Sequence, residues 1–135
     1  PHRSRIMALE IAIDTNRYRD FVEGNEEAVA ALRRASRICV PFVVVAELRA
    51  GFAIGRRGRE NEEVFERFLR RERVELLMPT MNSTRHYANL FRQLRTAGTP
   101  IPTNDMWIAA LVVEHDLLLF SRDEHFEALP QLPRI

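Results

Sequence analysis

A single cysteine stands among the 135 residues of this chain. Cys39 therefore has no partner for an internal disulfide, which excludes a disulfide-stapled scaffold and fits a reducing cytoplasm. Its neighbours Ile38 and Val40 mark it as a small buried residue. No apolar stretch approaches the ~20 residues of a membrane-spanning helix. The longest unbroken one, Met106 to Val113, has only eight, so no membrane partner is expected. The basic opening from Pro1 to Arg5 is followed by no apolar signal-peptide core, and residues 1–8 read as a flexible extension ahead of the fold. No repeat, low-complexity tract or linker divides the chain. No glycine-rich loop of the phosphate-cradling kind is present, which argues against use of a nucleoside triphosphate. His86, His115 and His125 lack zinc-ligand spacing, and no Ser/His/Asp arrangement is apparent.

What is present suits one compact domain over 1–135. The composition, 46% hydrophobic and 29% charged, is that of an ordinary globular protein. The net charge of +1 is uninformative until the acids are sorted. With four of the 19 Asp and Glu set aside as metal ligands, 15 face 20 Lys and Arg, a surplus of +5. That balance suits a site that holds cations and a rim that meets phosphates.

Leu9 to Ile13 is a β-branched-rich apolar run that stops at Asp14, and it predicts the first strand. Thr15-Asn16 can cap a following helix, and Val29 and Leu32 give a helical face further on. Arg37 to Val40 predicts a second strand. Pro41 suits the first turn of a new helix, which runs through Val43, Val44, Glu47 and Leu48 toward Gly51 or Gly55. Helical spacing returns from Asn61 to Glu72 and again at Tyr87, Leu90, Phe91 and Leu94, ending near Gly98. Val74 to Met78 predicts a third strand between them. Asn104 to Glu114 is apolar nearly all round, a central buried helix in which Trp107 is core. Leu117 to Phe120 predicts a fourth strand, and Leu132 to Ile135 a short terminal one. Strands alternating with helices predict an α/β fold with a mostly parallel sheet and helices on both faces. Such sheets bind ligands beyond the carboxyl ends of their strands.

Most of the acids lie in solvated runs such as Glu60-Asn61-Glu62-Glu63, but four lie against apolar sequence. Asp14 follows Ile11-Ala12-Ile13, Glu47 interrupts Val43-Val44-Val45-Ala46 and Leu48, Asp105 opens Met106-Trp107-Ile108-Ala109-Ala110, and Asp123 lies just beyond Leu117-Leu118-Leu119-Phe120. Burying an ionised carboxylate is costly unless a cation, a hydrogen-bond network or an exit to solvent compensates. Taken singly, Asp14 would pass for an N-cap, Asp105 for a helix-start acid and Asp123 for a turn residue. Glu47, in mid-helix on an apolar face, has no capping explanation. Glu114 and Asp116 are rivals, read as solvated where a helix closes into a turn. Asp14 and Asp123 both follow strands, Asp105 opens a helix, and Glu47 lies roughly 9 Å into its helix, so all four can converge on one edge. Clustered carboxylates repel one another unless cations intervene. Their hard oxygens suit Mg²⁺ or Mn²⁺, not zinc. Such a cluster can position two metals for in-line attack of water on a phosphodiester.

Four segments carry a resemblance to a known family. They are Ile13-Asp14-Thr15-Asn16, Val45-Ala46-Glu47-Leu48-Arg49-Ala50-Gly51, Pro102-Thr103-Asn104-Asp105-Met106-Trp107-Ile108-Ala109-Ala110 and Ser121-Arg122-Asp123-Glu124-His125-Phe126. In this order they resemble the PIN-domain toxins of the VapC and FitB-like branch, and the similarity covers the chain from about Leu9 onward. The resemblance implies a PIN fold with strand order 3-2-1-4-5 and a Mg²⁺- or Mn²⁺-dependent endoribonuclease. It implies that Asp14, Glu47, Asp105 and Asp123 are both catalytic and metal-holding, with Asp123 completing the cluster or supporting a second ion. Attack by water then leaves a 5′-phosphate and a 3′-hydroxyl. The expected partners are an RNA substrate, a small antitoxin whose tail covers the acidic site, operator DNA through that antitoxin alone, and a second copy in a homodimer.

Asn16, Asn104 and Ser121 are candidate groups for orienting the carboxylates, with turn and cap chemistry as the plainer reading. Arg56, Arg57 and Arg59 form a Gly-flanked turn that can grip phosphates or an acidic partner, or simply stay solvated. His125 is read as shaping the turn beside Asp123. Two other functions compete. One is a PIN-fold binding module that acts mainly with an antitoxin-like partner on operator DNA. The other is a metal-dependent phosphatase or DNA nuclease, since the 2′-hydroxyl is read by geometry that residue types do not display.

Overall fold

A computed structural model describes residues 9–135; the extension expected over 1–8 lies outside the described residues. The elements follow as β1 (Glu10–Ile13), α1 (Thr15–Val22), α2 (Glu26–Arg34), β2 (Arg37–Pro41), α3 (Phe42–Ile54), α4 (Gly58–Leu69), β3 (Val74–Leu77), α5 (Met81–Ala97), α6 (Thr103–His115), β4 (Leu118–Phe120) and a 3₁₀ turn (Glu124–Ala128). Every expected strand from the first to the fourth is present, with ends shifted by a residue or so.

Local chemistry explains most boundaries. The Asp14 carboxylate caps α1 by accepting the Arg17 backbone N–H. That is one residue ahead of the Thr15-Asn16 cap expected from the sequence. The Asn25 side chain caps α2 in the same way, and α2 carries Glu26 and Glu27 in its first turn and Arg33 and Arg34 in its last, matching its dipole. Pro41 ends β2 and stands as the N-cap of α3 instead of opening the first turn. Gly98 stops α5 in the left-handed region at φ 72°, where a missing Cβ costs nothing.

All strand pairs are parallel, and the sheet order is β3-β2-β1-β4. The fifth strand of the expected 3-2-1-4-5 order is reduced to a bridge between Leu119 and Arg134. Leu119 donates to the Pro133 carbonyl at 2.8 Å and accepts from the Ile135 N–H at 3.1 Å. Pro133 has no N–H to extend that ladder. The chain steps from β1 through β2 to β3 in one direction and returns past β1 to β4 in the other. Right-handed crossovers then place α1–α4 on one face and α5–α6 on the other.

The core follows these layers. Ile11, Ala12, Ile13, Leu119 and Phe120 of the central strands are almost wholly buried, as are Ile108 to Val112 of α6. On the first face Tyr18 stands edge-on to both Phe65 and Phe68 at 5.1 Å between ring centres. On the second, Tyr87 and Trp107 approach to 4.6 Å, and Phe42 meets Trp107 edge-on, so Trp107 packs against the core as expected. Cys39 is fully buried, and burial pushes its thiol up to about 11, away from reactive thiolate chemistry.

Candidate active site

The reversal of strand order falls between β1 and β4, and open parallel sheets bind ligands at such a reversal. Ile13 pairs with Phe120 across it, so the next residues, Asp14 and Ser121, stand side by side at the carboxyl ends of the two strands. The Ser121 hydroxyl donates to Asp14 Oδ2 at 2.5 Å. It also accepts the Asp123 backbone N–H at 3.1 Å. One buried hydroxyl thus connects the acid after β1 to the acid after β4. Asp14 Oδ1 accepts the Arg17 N–H at 2.9 Å. Each carboxylate oxygen of Asp14 has one donor and keeps a further lone pair.

Asp14, Glu47, Asp105 and Asp123 line one cleft of about 330 Å³, together with Thr15, Asn16, Arg19, Ala50 and Ile108. A second recess shares Glu47, Asp105 and Asp123 and extends past Asn104 to His125. Glu47 reaches the cleft from the sixth position of α3, where the Thr15 hydroxyl donates to its Oε1 at 2.7 Å. Asp105 lies in the first turn of α6, where the helix dipole favours a negative charge. Asp123 precedes the 3₁₀ turn and accepts the His125 N–H at 2.9 Å.

Charge is the cost of this arrangement. Burial pushes the Asp14 carboxyl above its usual value; the Ser121 and Arg17 hydrogen bonds pull it down, and the Asp123 charge pushes it up again. Asp105 is likewise raised, first by burial, against the pull of its bond to His125 and with the help of Asp123 and Glu47. These couplings link each of the four acids to at least one other.

Of the candidate orienting groups, Ser121 makes the bonds just described. Asn16 and Asn104 are exposed on the cleft walls. Three further residues touch the site without having been singled out by the sequence for it. Thr15 holds Glu47. His125, read as shaping a turn, places Nδ1 2.8 Å from Asp105 Oδ2 and 3.2 Å from Asp123 Oδ1. With those two acids it forms a group whose candidate ligand atoms lie within 4.8 Å of one another. The Asp105 bond, followed by the nearby acids, raises the His125 pKa. Arg134, from the terminal segment, donates to the Ser121 and Asp123 carbonyls, both at 2.9 Å, and so ties down the turn that carries Asp123. A histidine two residues beyond Asp123 was the one readable signal among them.

The rivals lie elsewhere. Glu114, expected to be solvated, has a side chain only 8% exposed and accepts from Ser83 and Asn82 across the α5–α6 pair. Its role is to join two helices. In the arginine turn, Arg57 pairs with Glu60, and Arg56 and Arg59 are exposed.

The fold is thus a parallel α/β sheet whose strand-order reversal carries a cleft lined by Asp14, Glu47, Asp105 and Asp123. The chain belongs to the PIN domain family, whose model matches residues 11–132. It is similar to Ribonuclease VapC1 of Haemophilus influenzae, 32% identical over 103 residues, which is 71% of this chain and 75% of that one. It is also similar to Ribonuclease VapC2 of Rickettsia felis, 26% identical over 118 residues, or 87% and 84% of the two chains. Among solved structures, the fold is similar to that of VapBC2 from Rickettsia felis bound to a DNA fragment from their promoter. There the TM-score is 0.83 at 21% identity, covering 94% of this chain and 98% of that one. For FitAcB from Neisseria gonorrhoeae the TM-score is 0.75 at 27% identity, covering 93% and 96%. Among the described residues, no helix is long and apolar enough to cross a membrane.

Proposed function

We propose that this chain is a single PIN domain over 1–135 acting in the cytoplasm as a Mg²⁺- or Mn²⁺-dependent endoribonuclease, the toxin of a toxin–antitoxin pair. The observation that carries the reading is the lining of one cleft by Asp14, Glu47, Asp105 and Asp123, in a PIN-domain chain similar to two VapC ribonucleases.

The donor set fits a hard divalent ion. It offers carboxylate oxygens, and the upward-shifted Asp14 and Asp105 carboxyls are groups whose ionised form a nearby cation would favour. Asp14, Glu47 and Asp105 would hold the principal ion, and Asp123 would complete the cluster or support a second. The chemistry supplied there is activation of a water and offset of the charge that develops on the phosphoryl oxygens.

The chain's own residues prepare that chemistry. Ser121 and the Arg17 N–H fix Asp14, Thr15 fixes Glu47, and Arg134 fixes the turn bearing Asp123. Carboxylates held in this way need little reorganisation when substrate arrives. Attack by water, with the 3′-oxygen as leaving group, yields a 5′-phosphate and a 3′-hydroxyl. The solved neighbours described as VapBC2 bound to promoter DNA and FitAcB support a protein partner of the antitoxin kind; the reading adds operator DNA reached through that partner and a second copy of the chain in a homodimer.

The test is cleavage of cellular RNA with and without Mg²⁺ or Mn²⁺, comparing the parent with Asp14→Asn and Asp105→Asn. Cleavage that requires the metal and both carboxylates supports the reading. Metal-independent cleavage, or variants as active as the parent, overturns it.

A further inference from the structure

Arg19 is the cation in the lining of the acidic cleft. It lies one turn beyond Thr15 on the same face of α1, about 6 Å along the axis. That displacement is comparable to the step between neighbouring phosphates of a single strand. Thr15 holds Glu47, so the backbone of Arg19 follows by one helical turn the residue that carries that bond. Among the described residues its guanidinium takes part in no hydrogen bond or ion pair. By contrast, Arg17, Arg37, Arg49, Arg57 and Arg122 are all committed to acids.

The neighbouring helix accommodates it. A Cβ built on Gly51 of α3 would lie 3.2 Å from Arg19 Nη2, so the guanidinium rests against the helix where a side chain is missing. Ala50, beside it, lines the same cleft. A planar fork of donors in the wall of the carboxylate cleft attracts the anion that the cluster's cations serve.

We propose that Arg19 is a substrate-binding residue that holds the RNA phosphate adjacent to the scissile one, with Gly51 as the seat for its guanidinium. The proposal rests on the ribonuclease reading above. It distinguishes Arg19 from the arginine turn at 56–59, which lines neither recess around the acids.

The experiment uses a short single-stranded RNA with one cleavage site and a series in which each flanking phosphate in turn is replaced by an uncharged methylphosphonate. Arg19→Ala is expected to lower kcat/KM about tenfold, with the loss carried by KM. Arg19→Lys recovers part of it, because it keeps the charge and loses the fork. In the parent, neutralising one flanking phosphate raises KM by a similar factor. In Arg19→Ala the same neutralisation adds nothing, because its partner is already gone. A merely structural role would leave that penalty in place. Mn²⁺ affinity measured by calorimetry stays within about twofold of the parent, separating loss of the phosphate contact from collapse of the carboxylates.

A parental KM in Arg19→Ala, or a methylphosphonate penalty that persists there at every position, overturns the proposal while the ribonuclease reading stands. Loss of antitoxin binding with KM unchanged assigns Arg19 to the protein partner and also overturns it. If the parent cleaves no RNA, the ribonuclease reading is what fails. Fluorescence anisotropy with the same oligonucleotides then decides Arg19, and equal affinity for parent and variant overturns it.

Discussion

Replacing Ser121 with alanine removes one buried oxygen and should disturb both folding and the site. Ser121 is 3% exposed, so water cannot freely replace its hydroxyl. The bond to Asp14 is assisted by the carboxylate charge, a kind worth about 1.5–3 kcal/mol. The bond accepted from the half-buried Asp123 N–H adds up to about 1 kcal/mol, less where water reaches that group. Alanine leaves little void, so a loss of about 2–3 kcal/mol at neutral pH follows from the hydrogen bonds alone. The pH dependence tests the cause. Burial already holds the Asp14 carboxyl above its ordinary 3.8, and the Ser121 bond works against that rise. Without Ser121 the carboxyl moves further up. A carboxyl raised in the folded state contributes stability below its unfolded pKa and loses it as pH rises through the folded pKa. The penalty of Ser121→Ala is therefore small in acid, where Asp14 is protonated, and grows to its full value as Asp14 ionises. Urea unfolding followed by circular dichroism, without divalent ions and at several pH values, measures it. A loss under about 0.5 kcal/mol, or one that does not change with pH, refutes the account of Ser121 as the support of an ionised Asp14.

Four further outcomes follow from the same contacts. Asp14→Asn keeps the N-cap, since Asn caps as well as Asp, and removes a buried charge; it should abolish RNA cleavage yet raise the melting temperature of the metal-free protein at neutral pH. Thr15→Val removes the donor to Glu47 at constant shape, and calorimetry should find Mn²⁺ affinity about tenfold weaker or more with little change in melting temperature. Burial pushes the Glu114 carboxyl up, but bonds from Ser83 and Asn82 and the nearby His115 and His86 outweigh it and hold it below 4.5. Its stabilisation is thus present above the ordinary carboxylate value and lost as pH falls through the folded pKa, so the destabilisation in Glu114→Gln should fade in acid melts. A Cβ at Gly58 would sit 2.0 Å from the Phe52 carbonyl oxygen, and Gly58→Ala should cost roughly 2–4 kcal/mol in chemical denaturation.

What could be read from the sequence was what is local. Ile11-Ala12-Ile13 before Asp14 and Leu117 to Phe120 before Asp123 are strand signals carried within a few residues. The sheet then brings their ends together whatever the intervening chain does. Glu47 was legible because a charge on an apolar helix face needs a reason. The supports were not legible, because each acts across a long stretch of chain. Thr15 meets Glu47 from 32 residues away, and His125 meets Asp105 from 20. Glu114 looked solvated because nothing in its own helix reveals that Ser83 lies opposite. The terminal strand shrank to a bridge because Pro133, whose meaning depends on its position in the ladder, stands where an N–H was needed.

The same oxygen atoms serve folding and site, and this constrains how the chain can change. Asp14 Oδ1 caps α1 while Oδ2 is held by Ser121, so α1 begins at the cleft. The face of α1 that bears Thr15 and Arg19 is set by that cap. A substitution that preserves capping but not charge, such as Asp14→Asn, therefore separates the two roles. One that removes both, such as Asp14→Ala, confounds them: it frees the first turn of α1, and with it the hydroxyl that holds Glu47. The difference between these two variants in Mn²⁺ affinity measures how far the cluster depends on a well-formed helix start, beyond its dependence on the Asp14 charge. If Asn and Ala at position 14 weaken the ion equally, the helix start contributes nothing and the cluster is assembled by the sheet alone.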